Sequence, residues 1–78
     1  MSQDRTIPAG AYVVHIYKDN PLRGYFERNG EAIGGLWFEQ SSDGITELVD
    51  YDGVFALPAD VVQALRSDGY WLEPSFDA

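Results

Sequence analysis

Short runs of alternating or consecutive apolar residues, separated by polar turn residues, make up most of the chain. β-branched and aromatic residues dominate these runs, and such residues favour a pleated, half-buried surface. Each run is bounded by Gly, Pro, Asn, Asp or Ser, so each is predicted to be a strand. The predicted strands are Ala11–Lys18, Arg23–Arg28, Glu31–Gln40, Ile45–Tyr51 and Tyr70–Leu72.

Turn chemistry supports these boundaries. Asn29-Gly30 lies between two predicted strands, and both residue types tolerate the positive φ of a type I′ turn, so a tight hairpin is expected here. Further turns are predicted at Asp19-Asn20-Pro21, Ser41–Gly44 and Asp52-Gly53. The paired glycines Gly34-Gly35 inside the third run predict a bulge, a bend or a close backbone approach.

One segment has the spacing of a helix. Val61, Val62 and Leu65 repeat at helical intervals after Pro58, which suits a first helical position because its missing N–H is not needed there. An acidic residue in the first turn and a basic one in the last complement the helix dipole. A short amphipathic helix is therefore predicted over residues 58–68, with Gly69 as its C-terminal cap.

The order of the elements, β-β-β-β-α-β, predicts an α+β domain. We expect an antiparallel sheet of four or five strands with one short helix packed on one face. The 78 residues form a single domain, with a polar lead-in over residues 1–9 and residues 75–78 frayed. Val54-Phe55-Ala56 is read as a short extended piece.

Aromatic residues are more numerous than one helix can cover. Neighbouring pairs such as Tyr25-Phe26 and Trp37-Phe38 occur within strands, where successive side chains point to opposite faces. The second face of the sheet therefore either presents an aromatic patch or is covered by a dimer partner or by the terminal segments.

Charge is distributed unevenly along the chain. The formal net charge is −8, but residues 1–28 carry three acids and four bases, whereas residues 29–78 carry ten acids and Arg66 alone. A field of this sign repels nucleic acid and anionic membranes and attracts basic surfaces. The bases Lys18, Arg23 and Arg28 are too few beside ten acids to form a nucleic-acid footprint. A solubilising surface charge explains the same composition without any partner.

The candidate catalytic and metal signals are weak. There is no cysteine, which excludes thiolate sites and disulfides and fits a cytoplasmic protein, and no secretory signal or membrane span is visible. His15 could act as a base, yet it lacks a nucleophile signature, and a structural strand residue is the simpler reading. Asp50-Tyr51-Asp52-Gly53 resembles only a fragment of a calcium loop. We therefore expect no enzyme activity, no metal and no cofactor.

In size, acidity and aromatic content the chain resembles the small inhibitor proteins of phages and mobile elements, notably the anti-CRISPR proteins, although no motif carries the resemblance. It implies a non-enzymatic inhibitor that blocks a nucleic-acid-binding host protein, such as a CRISPR effector subunit, in the host cytoplasm by mimicking DNA. The alternative is a structural or regulatory domain, monomeric or homodimeric through an open sheet face. The residues expected to bind a protein partner are Trp37, Glu39, Asp43, Glu47, Asp50, Tyr51, Asp52 and Asp60.

Overall fold

The computed structural model describes residues 4–52 and 56–76. They form five strands, one α-helix and a terminal 3-10 turn. The elements are β1 (Arg5–Ala9), β2 (Tyr12–Ile16), β3 (Arg23–Arg28), β4 (Glu31–Gln40), β5 (Thr46–Asp52), α1 (Ala59–Ser67) and the turn Pro74–Phe76.

The five strands form one antiparallel meander in which each strand pairs with the next along the chain. Spatial order therefore equals sequence order, from β1 at one edge to β5 at the other. Two register shifts leave Ile33 and Val49 as extra residues on β4 and β5. These bulges sharpen the local twist of the sheet.

The predicted turns at both ends of β4 are confirmed. Asn29 and Gly30 have φ values of 55° and 81°, as a type I′ hairpin requires. At the other end, the Ser41 N–H donates to the Ile45 carbonyl and the Gly44 N–H donates to the Ser41 carbonyl. The predicted turn at Gly53 and the extended piece at residues 54–56 fall on or beside residues 53–55, which lie outside the described residues.

The helix is confirmed within one residue at each end. Pro58 precedes it as the N-cap. At its C-terminus Gly69 has a φ of 98°, its N–H donates to the Arg66 carbonyl, and the Tyr70 N–H donates to the Leu65 carbonyl. This pair of bonds is a Schellman cap, in which glycine is favoured because other residues rarely adopt positive φ.

The core lies between α1 and one face of the sheet, called here the inner face. Val61, Val62 and Leu65 of the helix pack mainly over β1 and β2. The strands contribute a buried layer that is apolar throughout, with Leu57 and Leu72 closing its margins. The buried strand residues are Ile7, Ala9, Val14, Ile16, Phe26, Leu36, Phe38 and Leu48.

Two expectations about the strands are wrong. Residues 5–9 are not a polar lead-in but the edge strand β1, whose Ile7 and Ala9 are buried. Pro8 is tolerated because an edge strand has one side that makes no ladder bonds. Residues 70–72 do not form a strand, since only Trp71 makes a bridge there, pairing in parallel with Glu47. The order is therefore β-β-β-β-β-α.

Candidate functional site

The face of the sheet turned away from α1, called here the outer face, is uncovered by any element of residues 4–52 and 56–76. Alternation along the strands assigns its members, and the register places them in rows across the sheet. Tyr17, just after β2, joins them through its ring contact with Tyr25. The outer-face residues are Thr6, Val13, His15, Arg23, Tyr25, Glu27, Gly35, Trp37, Glu39, Glu47, Asp50 and Asp52.

Aromatic rings occupy the centre of the outer face. The His15 and Tyr25 rings stack with centroids 4.6 Å apart and planes 8° from parallel. Tyr17 lies 5.8 Å from Tyr25. On the neighbouring row the Arg23 guanidinium lies 4.8 Å from the centre of the Trp37 ring, a cation–π contact. The sheet therefore presents the aromatic patch that the sequence predicted as one outcome.

The glycine pair makes room for this arrangement. A Cβ on Gly34 would lie 2.1 Å from the Asp52 carbonyl oxygen, so β4 and β5 can approach here only without a side chain. A Cβ on Gly35 would lie 3.0 Å from the Trp37 ring, which therefore rests over the bare backbone. The expected close backbone approach is confirmed.

Carboxylates dominate the side of the outer face formed by β4 and β5. Residues 31–52 contain six acids and no base. Among the described residues the ion pairs are Arg5 with Asp68 and His15 with Glu27, so none neutralises a carboxylate of β4 or β5. Glu39 stands directly opposite Glu47 across the two strands. Like charges in such a position destabilise a sheet.

The arginines are engaged elsewhere. Arg5 donates to the Asp68 carboxylate and to the Tyr70 hydroxyl, and the Asp68 hydrogen bond raises the pKa of Arg5 above its ordinary value. Arg28 lies 5.8 Å from the Tyr12 ring centre. The Arg66 guanidinium donates to the backbone carbonyls of Leu72 and Glu73. These arginines stabilise the fold, and in the part of the chain that the structure describes no cation forms an ion pair with an acid of β4 or β5.

His15 is held within the aromatic patch. Its Nε2 is buried and lies 3.1 Å from Glu27 Oε1, although the two are not aligned as a hydrogen bond. Burial, reinforced by the charge of Glu27, raises the pKa of the neighbouring Tyr25 hydroxyl. Nowhere in the described ranges do three His, Asp or Glu side chains gather as metal ligands would. The contacts of His15 are those of a packed strand residue.

The structure separates the predicted binding residues into four places. Five lie on the outer face, and Asp43 lies in the turn that joins β4 to β5. Tyr51 points to the inner face and contacts Phe76, with ring centroids 5.9 Å apart. Asp60 lies on the helix beside Gly10, at the opposite edge of the sheet. The outer-face five are Trp37, Glu39, Glu47, Asp50 and Asp52.

The sequence did not indicate Tyr17, Arg23 and Tyr25 of this face as binding residues, nor Trp71, whose parallel bridge to Glu47 places it beside the face. Strand alternation already placed Tyr25 opposite Phe26, so its exposure to the outer side was available as a signal. The position of Trp71 was not, because it depends on the bridge to β5.

Comparison with protein-family models, with curated proteins and with solved structures found no match to this chain. In the part of the chain that the structure describes, no helix is both long enough and apolar enough to cross a membrane.

Proposed function

We propose that this chain is a non-enzymatic binding protein that uses its outer face to occupy the nucleic-acid-binding surface of a basic protein partner in the cytoplasm. An inhibitor of the anti-CRISPR kind is the class that fits this description. The observation that carries the proposal is the set of carboxylates on β4 and β5, which stand beside exposed aromatic rings and form no ion pair with any other described residue.

Charge geometry supports a partner that normally binds nucleic acid. Neighbouring strands are about 4.8 Å apart, so acids on adjacent strands form a closely spaced negative surface. Duplex DNA carries about one charge per 1.7 Å of its axis, and a protein that grips it presents Lys and Arg at matching density. Carboxylates on a rigid sheet present a comparable negative field to such a protein.

Aromatic residues supply the contact area that charge alone lacks. Trp and Tyr dominate the energetics of many protein interfaces because they bury a large area with few rotatable bonds. Tyr17 and Tyr25 lie next to the acidic strands on the same face. Carboxylates would steer and orient the partner, and the aromatic rings would anchor it.

The test is capture and competition with matched charge variants. The wild-type chain, the triple variant Glu47→Lys, Asp50→Lys, Asp52→Lys, and a control triple variant are immobilised and exposed to nuclease-treated bacterial lysate. The control reverses three acids outside the outer face, Glu31→Lys, Asp60→Lys and Glu73→Lys, and circular dichroism verifies that all three proteins fold.

We expect the wild type and the control to capture a nucleic-acid-binding protein that the outer-face variant retains at least about tenfold more weakly, because reversed charges repel a basic surface. Added nucleic acid should displace the captured protein. Equal retention by the outer-face variant, or simultaneous binding of nucleic acid and this chain, would refute the proposal.

A further inference from the structure

A recess of about 390 Å³ lies where β4 and β5 meet their connecting turn. Trp71 and Ile45 form its apolar wall, and both are well exposed, at 46% and 50%. Glu39, Asp43 and Glu47 line the same recess. An exposed Trp beside carboxylates differs from Trp37, the other tryptophan, whose ring lies against Gly35 and under the Arg23 guanidinium.

Trp71 is fixed firmly in this position. Its N–H donates to the Thr46 carbonyl at 2.9 Å, and its carbonyl accepts from the Leu48 N–H at 3.0 Å. On either side of it, Tyr70 packs against Phe38 and Leu72 is buried. The backbone is therefore held on both sides of the residue, and only the side-chain torsions of the half-exposed ring remain to be ordered on binding. Preorganised aromatic groups lose little entropy on binding.

Within residues 4–52 and 56–76, no ion pair involves an acid of the recess. Glu39 and Glu47 are direct cross-strand neighbours, and Glu47 is also the bridge partner of Trp71. Two opposed carboxylates without a counter-charge destabilise the sheet. A cation placed between them and against the indole would relieve this repulsion.

The adjacent row of the outer face shows how an indole of this sheet accepts an arginine. There the Arg23 guanidinium lies on the Trp37 ring, and Asp50 stands directly opposite Trp37 on β5, although no ion pair joins Arg23 to Asp50. At the recess, Trp71 stands beside three carboxylates, and the cation–π contacts of the described residues lie on Tyr70, Trp37 and Tyr12 instead.

We propose that this recess binds an arginine side chain of the protein partner. This inference rests on the proposed function and names the contact through which the basic partner is anchored. A guanidinium is planar, stacks on an indole and donates in a fork that matches two neighbouring carboxylate oxygens. A second copy of this chain is a poor source of it, because Arg5, Arg23 and Arg28 already contact aromatic rings. The remaining arginine, Arg66, donates to the backbone carbonyls of Leu72 and Glu73.

Nuclear magnetic resonance of the full chain tests the recess with a defined probe. The probe is the peptide acetyl-Gly-Arg-Gly-amide, and its controls carry lysine or the uncharged isostere citrulline in place of arginine. We expect arginine to shift the indole N–H of Trp71 and the amides of Ile45 and Glu47 while leaving the Trp37 indole unmoved. Citrulline should bind at least about fivefold more weakly, since it lacks the charge.

Variants separate the ring from the charges. Trp71→Leu keeps the backbone bridge and assigns the indole signal, and Glu47→Gln removes one carboxylate. Each should weaken arginine binding about two- to fivefold. Glu31→Gln is the matched control, since it removes the same charge roughly 26 Å away along β4 at about 3.3 Å per residue. It should leave the affinity within about a factor of two.

Equal shifts with citrulline, movement of Trp37 in place of Trp71, or equal weakening by Glu31→Gln would each overturn the inference. If Trp71→Leu perturbs the rest of the spectrum, Glu39→Gln replaces it as the second variant. Failure here, combined with loss of the captured partner on reversing Glu47, Asp50 and Asp52, would remove the arginine anchor and leave the proposed function standing. Retention of the partner by that triple variant would remove the proposed function itself.

Discussion

At the scale of single residues, identical side chains have different roles because of their neighbours. The Trp37 ring packs on Gly35 and makes a cation–π contact with Arg23, so it contributes to the packing of the sheet. Trp71 has a fixed backbone and a largely solvent-exposed ring. Tyr25 shows the same dependence, since burial and the nearby charge of Glu27 raise the pKa of its hydroxyl.

The raised pKa of Tyr25 predicts an alkaline limit to stability. In the folded chain this pKa lies above the ordinary value of 10.0, chiefly because burial disfavours the tyrosinate and secondarily because Glu27 is close. The unfolded chain therefore releases this proton first. The associated stability is fully present below about pH 10 and is lost as the pH rises through the folded value.

We expect the free energy of unfolding of the wild type to fall more steeply above pH 10 than that of Tyr25→Phe, which has no hydroxyl to ionise. Urea unfolding at a series of alkaline pH values, followed by circular dichroism, measures both slopes. Parallel pH dependence of the two proteins would contradict this assignment.

At the scale of elements, β1 pairs with β2 in the first hairpin and packs against α1. It was predicted to be a polar lead-in because Arg5, Thr6 and Pro8 outnumber its apolar residues. Yet Ile7 and Ala9 face α1 and are buried, and Gly10 with a φ of 64° turns the chain into β2. The edge position explains why a strand with so little apolar content and a proline is possible.

Replacement of Ile7 by alanine tests whether β1 belongs to the core. We expect Ile7→Ala to lower the free energy of unfolding by about 2–4 kcal/mol, the usual range for removing a buried Ile side chain. The matched control is Ile33→Ala at the exposed bulge of β4, which should change stability by less than about 0.5 kcal/mol. Urea denaturation gives both values, and equal effects would show that β1 is not packed as described.

At the scale of the whole molecule, the meander places the more basic and the acidic parts of the chain at opposite sides of the sheet. Because spatial order follows sequence order, the strands that contain the bases stand at one side of the sheet and the acid-only strands β4 and β5 at the other. A partner therefore meets a graded surface rather than a uniformly negative one. The helix, with Asp60, belongs to the opposite layer and does not extend the acidic surface.

This charge distribution bears on self-association. A symmetric dimer through the outer face would bring together two surfaces whose charged residues are mainly acids, since both copies use the same face. We expect the chain to sediment as a monomer in analytical ultracentrifugation at low salt, where repulsion is least screened. A dimer under those conditions that dissociates on Tyr17→Ala would favour the homodimer alternative over the proposed function.

Elements with strong local signals could be predicted from the sequence. Asn29-Gly30, Gly69 and the spacing of Val61, Val62 and Leu65 each depend on φ preferences or on periodicity within a few residues, and these were predicted correctly. The sequence also determined the unequal charge of the two parts of the chain. Strand alternation was enough to show that aromatic residues must occupy both faces of the sheet.

The roles of those residues depend on contacts that form only in the folded protein. β1 is a strand because β2 and α1 give its two apolar residues a place to be buried, and its own composition does not favour this. Tyr51 and Asp60 do not lie in the predicted site. The bulge at Val49 turns the Tyr51 side chain to the inner face, and the position of α1 places Asp60 at the opposite edge of the sheet. Trp71 lies in the site because two long-range backbone hydrogen bonds hold it beside Glu47. Contacts between residues distant in sequence determine which acids and rings share a surface, and no local pattern encodes them.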